Sequence, residues 1–157
     1  MEEILKILEN DARTSPEQIA TMLGKPVAEV KGTIKKAEDN RTIIKYKTMV
    51  NWEKMDREEI WALIEVKIQP QREVGFDPIA ERIYRFPEAR SVYLVSGTYD
   101  LAVLVTGKTV HEVAGFVSEK LATLESVQGT ITHFLLKRYK EDGEILEGKE
   151  ELERIRI

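Results

Sequence analysis

The sequence predicts an α+β chain in two parts, an N-terminal winged helical domain followed by a βαββαβ domain. Three observations carry that prediction. Apolar residues recur at helical spacing through residues 4–37, interrupted by capping and stop signals. Four β-rich runs, with two helical stretches among them, fill residues 60–140 in the order strand, helix, strand, strand, helix, strand. The charge also changes along the chain. Residues 1–50 hold nine Lys/Arg and eight Asp/Glu, whereas residues 51–157 hold fifteen and twenty. The predicted divisions are a winged helical domain over 1–50, a linker over 51–59, the βαββαβ domain over 60–140 and a charged tail over 141–157.

Bulk composition sets limits on function. With 157 residues, 42% of them hydrophobic, the chain can pack one ordinary domain or two small ones. It has no cysteine, which excludes disulfide scaffolds, thiolate metal sites and cysteine nucleophiles. No apolar run reaches the roughly 18 residues a membrane span needs. The acidic start, "MEEILKILEN", lacks the basic region of a signal peptide. A cytoplasmic protein without a membrane partner is expected. The net charge of −4 disfavours nucleic acid as a partner for the whole chain. Residues 25–50, however, hold seven basic and three acidic residues, so a basic element on an acidic body is expected.

The first helix is predicted from Ile4, Ile7, Leu8 and Ala12. The second starts at "TSPEQ", where Ser15 is the N-cap, Pro16 opens the first turn and Gln18 completes a capping box. Ile19, Met22 and Leu23 form its apolar stripe, and Gly24 stops it. The third opens with Pro26 in its first turn and buries Val27, Val30, Ile34 and Ala37. Lys31, Lys35 and Lys36 then point outward. Two helices joined by a short turn, the second bearing outward lysines, read as a helix-turn-helix. A three-helix bundle with a solvated lysine face fits the same pattern. Gly32, inside the third helix, costs about 1 kcal/mol of helix propensity and allows close approach of a neighbouring helix or of a DNA backbone. "RTIIKYKTMVN" reads as a strand, a wing whose Lys45 and Lys47 meet phosphates.

In the second part, "IWALIEVKIQP" is a β-branched and aromatic strand stopped by Pro70. Asp77 and Pro78 cap and start a helix whose apolar face is Ile79, Ala80, Ile83 and Tyr84, and Pro87 ends it. "RSVYLVS" and "LAVLVTG" form a hairpin about Gly97–Asp100. Thr109 and Glu112 form a second capping box, ahead of the stripe Val110, Val113, Val117, Leu121 and Leu124. "VQGTITHFLLKRYK" is the last strand. This order is the ferredoxin-like one. Helices on one face leave the other sheet face open, so at least a dimer is expected. In the tail, Leu146, Leu152, Ile155 and Ile157 allow a short amphipathic helix or a solvated end.

The pattern over residues 1–140 resembles the Lrp/AsnC (feast/famine) transcription regulators. The resemblance rests on "IATMLGKPVAEVKGTIKKAEDNRTIIKYKTMVN" and on "SVYLVSGTYDLAVLVTG", whose hairpin holds Gly97-x-Tyr99-Asp100. The chain departs from the family where Lys25-Pro26 replaces a Ser-type cap and where Lys31-Gly32-Thr33 replaces an arginine cluster. Asn40-Arg41 also stands where a turn glycine is usual, and Asn40 is expected to take the left-handed conformation. The resemblance implies that the second domain, called RAM, assembles dimers and rings of dimers such as an octamer. It further implies that a small effector, an amino acid, binds between dimers beside the G-x-Y-D hairpin and changes the assembly.

The residue chemistry fits that implication. Gly97 lets backbone N–H groups approach a carboxylate, and Ser96 and Thr98 add hydroxyls. Tyr99 supplies an apolar wall with a polar tip, and Asp100 can pair with an α-ammonium. The same residues also serve a plain turn, with Tyr99 packed at a subunit interface. For double-stranded DNA, Lys25, Lys31, Thr33, Lys35 and Lys36 on the third helix, with Lys45 and Lys47 on the wing, are the expected contacts. Ala28, Glu29 and Thr33 are placed for base edges. His111 and His133 are read as solvated or interfacial. No metal-ligand cluster, phosphate loop or nucleophile motif appears, so no catalytic residue, metal or cofactor is expected. The alternatives are an enzyme like the sirohaem decarboxylases, which are similar in fold, and an assembly module without its own DNA target.

Overall fold

The computed structural model describes residues 1–55, 59–70 and 72–146. The chain divides into two compact units, Met1–Val50 and a second beginning at Asn51.

The first unit contains helices α1 (Glu2–Asn10), α2 (Pro16–Leu23) and α3 (Val27–Asp39). Ile4, Leu8, Ile19, Ala20 and Val30 form its buried cluster, with Ile7, Leu23, Ile34 and Ile43 packed against it. Ala37 is also buried. The predicted stripes need three corrections. Ala12 lies beyond the end of α1 and is exposed. Met22 is 65% exposed, and Ala20 is buried in its place. The buried face of α2 runs between Ile19 and Ala20 through Leu23, so at about 100° per residue Met22 falls more than a quarter-turn off it. Val27, at the start of α3, lies at the rim.

Capping explains where these helices stop and start. The Gln18 N–H donates to Ser15 Oγ at 3.2 Å, and the Ser15 N–H donates to Gln18 Oε1 at 2.8 Å. Two orphan donors of the first turn are thereby satisfied. Gly24 closes α2 with φ of 61°. An added Cβ there would meet nothing within 4 Å, so backbone angle rather than space demands the glycine. Pro26 is the N-cap of α3 and not its first residue. At the far end Arg41, with φ of 61°, takes the left-handed conformation expected of Asn40. Asn40 stays at φ −89° and uses its side chain instead. Its Oδ1 accepts from the Thr42 N–H at 3.0 Å and the Thr42 hydroxyl at 2.7 Å.

The wing is the largest departure from prediction. Residues 44–50 form neither helix nor strand. Ile44 and Tyr46 favour extended backbone, but a ladder needs a second strand, and none is paired with them among the described residues. Ile44 is 78% exposed. Lys45 and Lys47 therefore sit on a segment with no strand partner among the described residues.

The second unit is built on strands β1 (Ile60–Ile68), β2 (Ala89–Leu94), β3 (Leu101–Gly107) and β4 (Val127–Phe134). They form an antiparallel sheet in the order β2-β3-β1-β4, the arrangement predicted. Ala62, Ile64, Val66 and Ile68 alternate along β1 and are buried under the helices, as period-two geometry requires. Helix α4 (Asp77–Tyr84) contributes Ile79 and Ile83, and α5 (Val110–Phe116) contributes Val113 and Phe116. The Phe86 and Phe116 rings meet edge to face, with centroids 5.6 Å apart. On the other sheet face, register aligns Tyr93, Ala102, Glu65 and Ile131 in one row and Leu104, Leu63 and His133 in the next. Tyr93 and Ile131 are each 57% exposed there.

Several boundaries differ from prediction. Asp77 lies inside α4, whose N-cap is Phe76. Thr109 does cap α5, its Oγ1 accepting from the Glu112 N–H at 3.1 Å, but Glu112 reaches back to the Lys108 N–H, at 2.7 Å. Helix α5 runs into a π turn, Val117–Leu121, whose extra residue shifts the apolar phase. Leu121 and Leu124 are thereby buried while Val110 is exposed. The last strand stops at Phe134. A small hairpin follows, β5 (Lys140–Glu141) and β6 (Glu144–Ile145), turned by Asp142 and Gly143 at φ 45° and 86°. Positive φ at both central residues is the Asp-Gly hairpin signature, legible in "KEDGEI" but read as tail. Leu152, Ile155 and Ile157 lie outside the described residues.

Candidate nucleic-acid interface and effector hairpin

Helical geometry turns Ala28, Gly32 and Lys35 of α3 away from the buried Val30 and Ala37. Ala28, Glu29, Lys31, Lys35 and Lys36 are exposed, so five of the expected DNA contacts share one helix surface. Lys25, in the turn before α3, is half-buried. Thr33 is half-buried as well and leans toward the core side of the helix. Among the described residues, no packing demand explains Gly32: a Cβ built there meets nothing within 4 Å. The neighbouring helix invoked for it is not in contact at that point.

Two of the lysines are held by carboxylates. Lys31 Nζ lies 2.7 Å from Glu17 Oε1 on α2, and Lys25 Nζ lies 2.7 Å from Glu29 Oε1. The hydrogen bond from Lys31 holds the Glu17 carboxyl below its ordinary range. Glu29 raises the Lys25 ammonium in the same way. Tyr46 donates its hydroxyl to Glu38 Oε1 at 2.8 Å, which ties the segment that follows α3 back to that helix. Partial burial and that hydrogen bond both raise the phenol pKa. The Glu17 contact was not foreseen, because it depends on how α2 packs on α3 and no sequence spacing marks it.

In the second unit the hairpin joining β2 and β3 holds Ser96, Gly97, Thr98, Tyr99 and Asp100 together. The first three are exposed and the last two half-buried. Gly97 has φ of 137°. A Cβ there would again have open space, so glycine answers a backbone demand. Among the described residues, no backbone acceptor is paired with the N–H groups of Gly97, Thr98 and Tyr99.

Asp100 has a use inside the fold. The β1–β4 register shifts between Lys67 and Ile68. The Ile68 N–H donates to Asp100 Oδ2 at 2.8 Å, and Lys67 Nζ lies 3.3 Å from the same oxygen. The Asp100 N–H donates to the Val66 carbonyl at 3.1 Å, and its carbonyl accepts from the Val95 N–H at 2.9 Å. The aspartate expected to meet an α-ammonium therefore already fastens the hairpin to the central strand. A cleft of about 220 Å³ lies beside the hairpin's base, lined by Phe76, Ala80, Tyr84, Leu94 and Leu101 among others. His111, in the first turn of α5, is exposed. His133 Nε2 lies 2.9 Å from Glu65 Oε1 on the open sheet face.

Comparison with known proteins adds a second line of observation. Residues 61–145 match the family model described as the Lrp/AsnC ligand binding domain. The uncharacterized HTH-type transcriptional regulator YugG of Bacillus subtilis strain 168 is 52% identical over 154 residues, which cover 98% of this chain and 93% of the relative. Among solved structures, the feast or famine regulatory protein of Mycobacterium tuberculosis complexed with L-methionine superposes with a TM-score of 0.72 at 19% identity. That likeness covers 93% of this chain and 96% of the other. A Neisseria meningitidis transcriptional regulator, also in complex with L-methionine, gives 0.71 at 20% identity, covering 88% and 89%. At these identities the structures speak for the fold alone.

Proposed function

The chain belongs to the Lrp/AsnC family of transcriptional regulators, and from that premise we propose an effector-responsive, DNA-binding regulator in which α3 reads DNA and the Gly97–Asp100 hairpin meets an amino acid. The observation that carries this reading is the 52% identity to a helix-turn-helix regulator across 98% of the chain, which spans both units. Lys25, Lys31, Lys35 and Lys36, with Lys45 and Lys47 on the segment that follows α3, position the chain on phosphates. Ala28 and Glu29 face base edges, and Thr33, half-buried toward the core side of α3, is set back from them. Ser96, Thr98 and Tyr99 present hydroxyls, and the N–H groups of Gly97, Thr98 and Tyr99, which meet no backbone acceptor among the described residues, are suited to a ligand carboxylate. Asp100 keeps the hairpin in place and offers its carboxylate from a fixed position. The open sheet face, with Tyr93, Leu63, Leu104 and Ile131, pairs with a second copy, and dimers build rings in the cytoplasm. The L-methionine complexes of proteins with this fold favour an amino-acid effector.

The test is capture of sheared DNA from the source genome by the purified protein at about 0.1 M salt, with and without a pool of amino acids. Enrichment of a few upstream regions sharing a pseudo-palindrome, altered by one amino acid, is the expected result. Equal recovery of all fragments under both conditions would overturn it.

A further inference from the structure

The four lysines on and beside α3 are not equivalent. Lys25 and Lys31 are each 2.7 Å from a carboxylate. Among the described residues, Lys35 and Lys36 have no carboxylate at ion-pair distance. Lys31 and Glu17 each keep 57% of their side chains exposed, so the pair contributes little to folding. Glu17 does have a local use, since an acid in the first turn of α2 faces the positive end of that helix. That use does not require it to reach Lys31, which it nevertheless does.

Resting on the DNA-binding reading above, we propose that Glu17 sets the protein's affinity for arbitrary DNA by acting as a built-in counter-ion to Lys31. A free lysine that meets a phosphate releases a condensed cation from the duplex, and that release drives non-specific binding. For Lys31 the gain is offset, because the phosphate must displace the Glu17 carboxylate, which is left unpaired close to the duplex. Lys31 then adds little to non-specific binding, whereas Lys35 and Lys36 add fully. Glu17 thus holds down affinity at random sites without touching a base. Glu29 pairs with Lys25 in a similar way, but it is itself a candidate base contact, so Glu17 is the cleaner residue to test.

The experiment measures Kd for a random-sequence duplex of about 24 base pairs between about 50 and 200 mM salt, where the counter-ion term is large. The proteins are the wild type, Glu17→Gln, Lys31→Ala, the double variant and Lys35→Ala, each with a melting curve to confirm folding. Glu17→Gln should tighten binding about two- to fivefold per protomer, the range of an exposed ion pair. It should also steepen the log–log salt slope by about one. In the Glu17→Gln background Lys31→Ala should remove the gain, and in the wild-type background it should weaken binding by less than Lys35→Ala does, because the Glu17 contact already offsets part of its phosphate gain. Lys35→Ala should weaken binding and flatten the slope by about one. Unchanged binding by Glu17→Gln overturns the inference and leaves the regulator reading intact. Tightening that persists in the double variant also overturns it, since Glu17 would then act as a general negative charge. Absence of duplex binding by every protein at the lowest salt overturns the regulator reading itself.

Discussion

The two units hold themselves together by different means. Among the described residues, the core cluster of the helical unit holds five buried side chains, from Ile4 to Val30, and that of the sheet unit holds thirteen, from Ala62 to Leu124. A short chain covers a smaller share of its surface on folding, so its stability leans on local devices. In the helical unit these are the Ser15–Gln18 box, the left-handed Gly24 and the Asn40–Thr42 turn. The sheet unit leans on register. One slip of β1 would turn Ala62, Ile64, Val66 and Ile68 outward together. Damage to the first unit should therefore be felt at caps and single core residues, and damage to the second along a whole strand.

The largest test removes the same side chain from each core. Ile19→Ala and Ile64→Ala should each cost about 2–5 kcal/mol, both residues being fully buried. Hydrogen exchange resolved by unit should show Ile19→Ala opening residues 1–50 while protection in the sheet persists. Ile64→Ala should lower protection throughout β1, β3 and β4. Loss of protection in both units from Ile19→Ala would erase the contrast. Asp100→Ala comes next. It strands the Ile68 N–H and should cost the sheet unit about 1–3 kcal/mol, measured by denaturant unfolding. Ser15→Ala should cost the helical unit about 1 kcal/mol through lost capping. Gly32→Ala should have the smallest effect on stability and the opposite sign, a gain of up to about 1 kcal/mol, because its Cβ has open space. Weaker duplex binding by a Gly32→Ala protein of unimpaired stability would show that the bare helix surface serves the partner and not the fold.

Acid sharpens the comparison further. Burial pushes the Glu88 carboxyl up, but hydrogen bonds from Lys120 and from its own backbone outweigh burial and leave it below its ordinary value. A carboxylate depressed in the folded state contributes stability above its unfolded pKa and loses it as pH falls through the folded one. The sheet unit should therefore weaken below the ordinary glutamate range, and Glu88→Gln should flatten that part of a melting-temperature profile. Lys120 also lies over the Phe86 and Phe116 rings, so the pair ties the π turn to the start of β2.

What was legible in the sequence was what short-range chemistry decides. Ser15 with Gln18, Thr109 before its helix, and the alternation of Ala62 through Ile68 each name their own structure. The strand order followed from the pattern of elements. The unpaired wing did not, because Ile44 and Tyr46 report a preference for extended backbone and not the presence of a partner strand. Arg41 took the left-handed position because Asn40 had a better use for its side chain in bonding Thr42. Phe116 was missed because a π turn breaks the period that would have revealed it. At the hairpin, sequence assembled the right group of residues, but the second use of Asp100 depends on a register shift in a distant strand pair. The Glu17–Lys31 contact depends on helix packing and was equally out of reach.

The fastening of Asp100 to Ile68 separates two questions that a motif tends to merge. An aspartate at position 100 is needed by the sheet whether or not any small molecule ever arrives. Change there would be punished through folding first, so a descendant that had lost its ligand could keep the full G-x-Y-D signature for generations. The residues that would report such a loss are Ser96 and Thr98, exposed and with no side-chain hydrogen bond among the described residues, which would be free to drift.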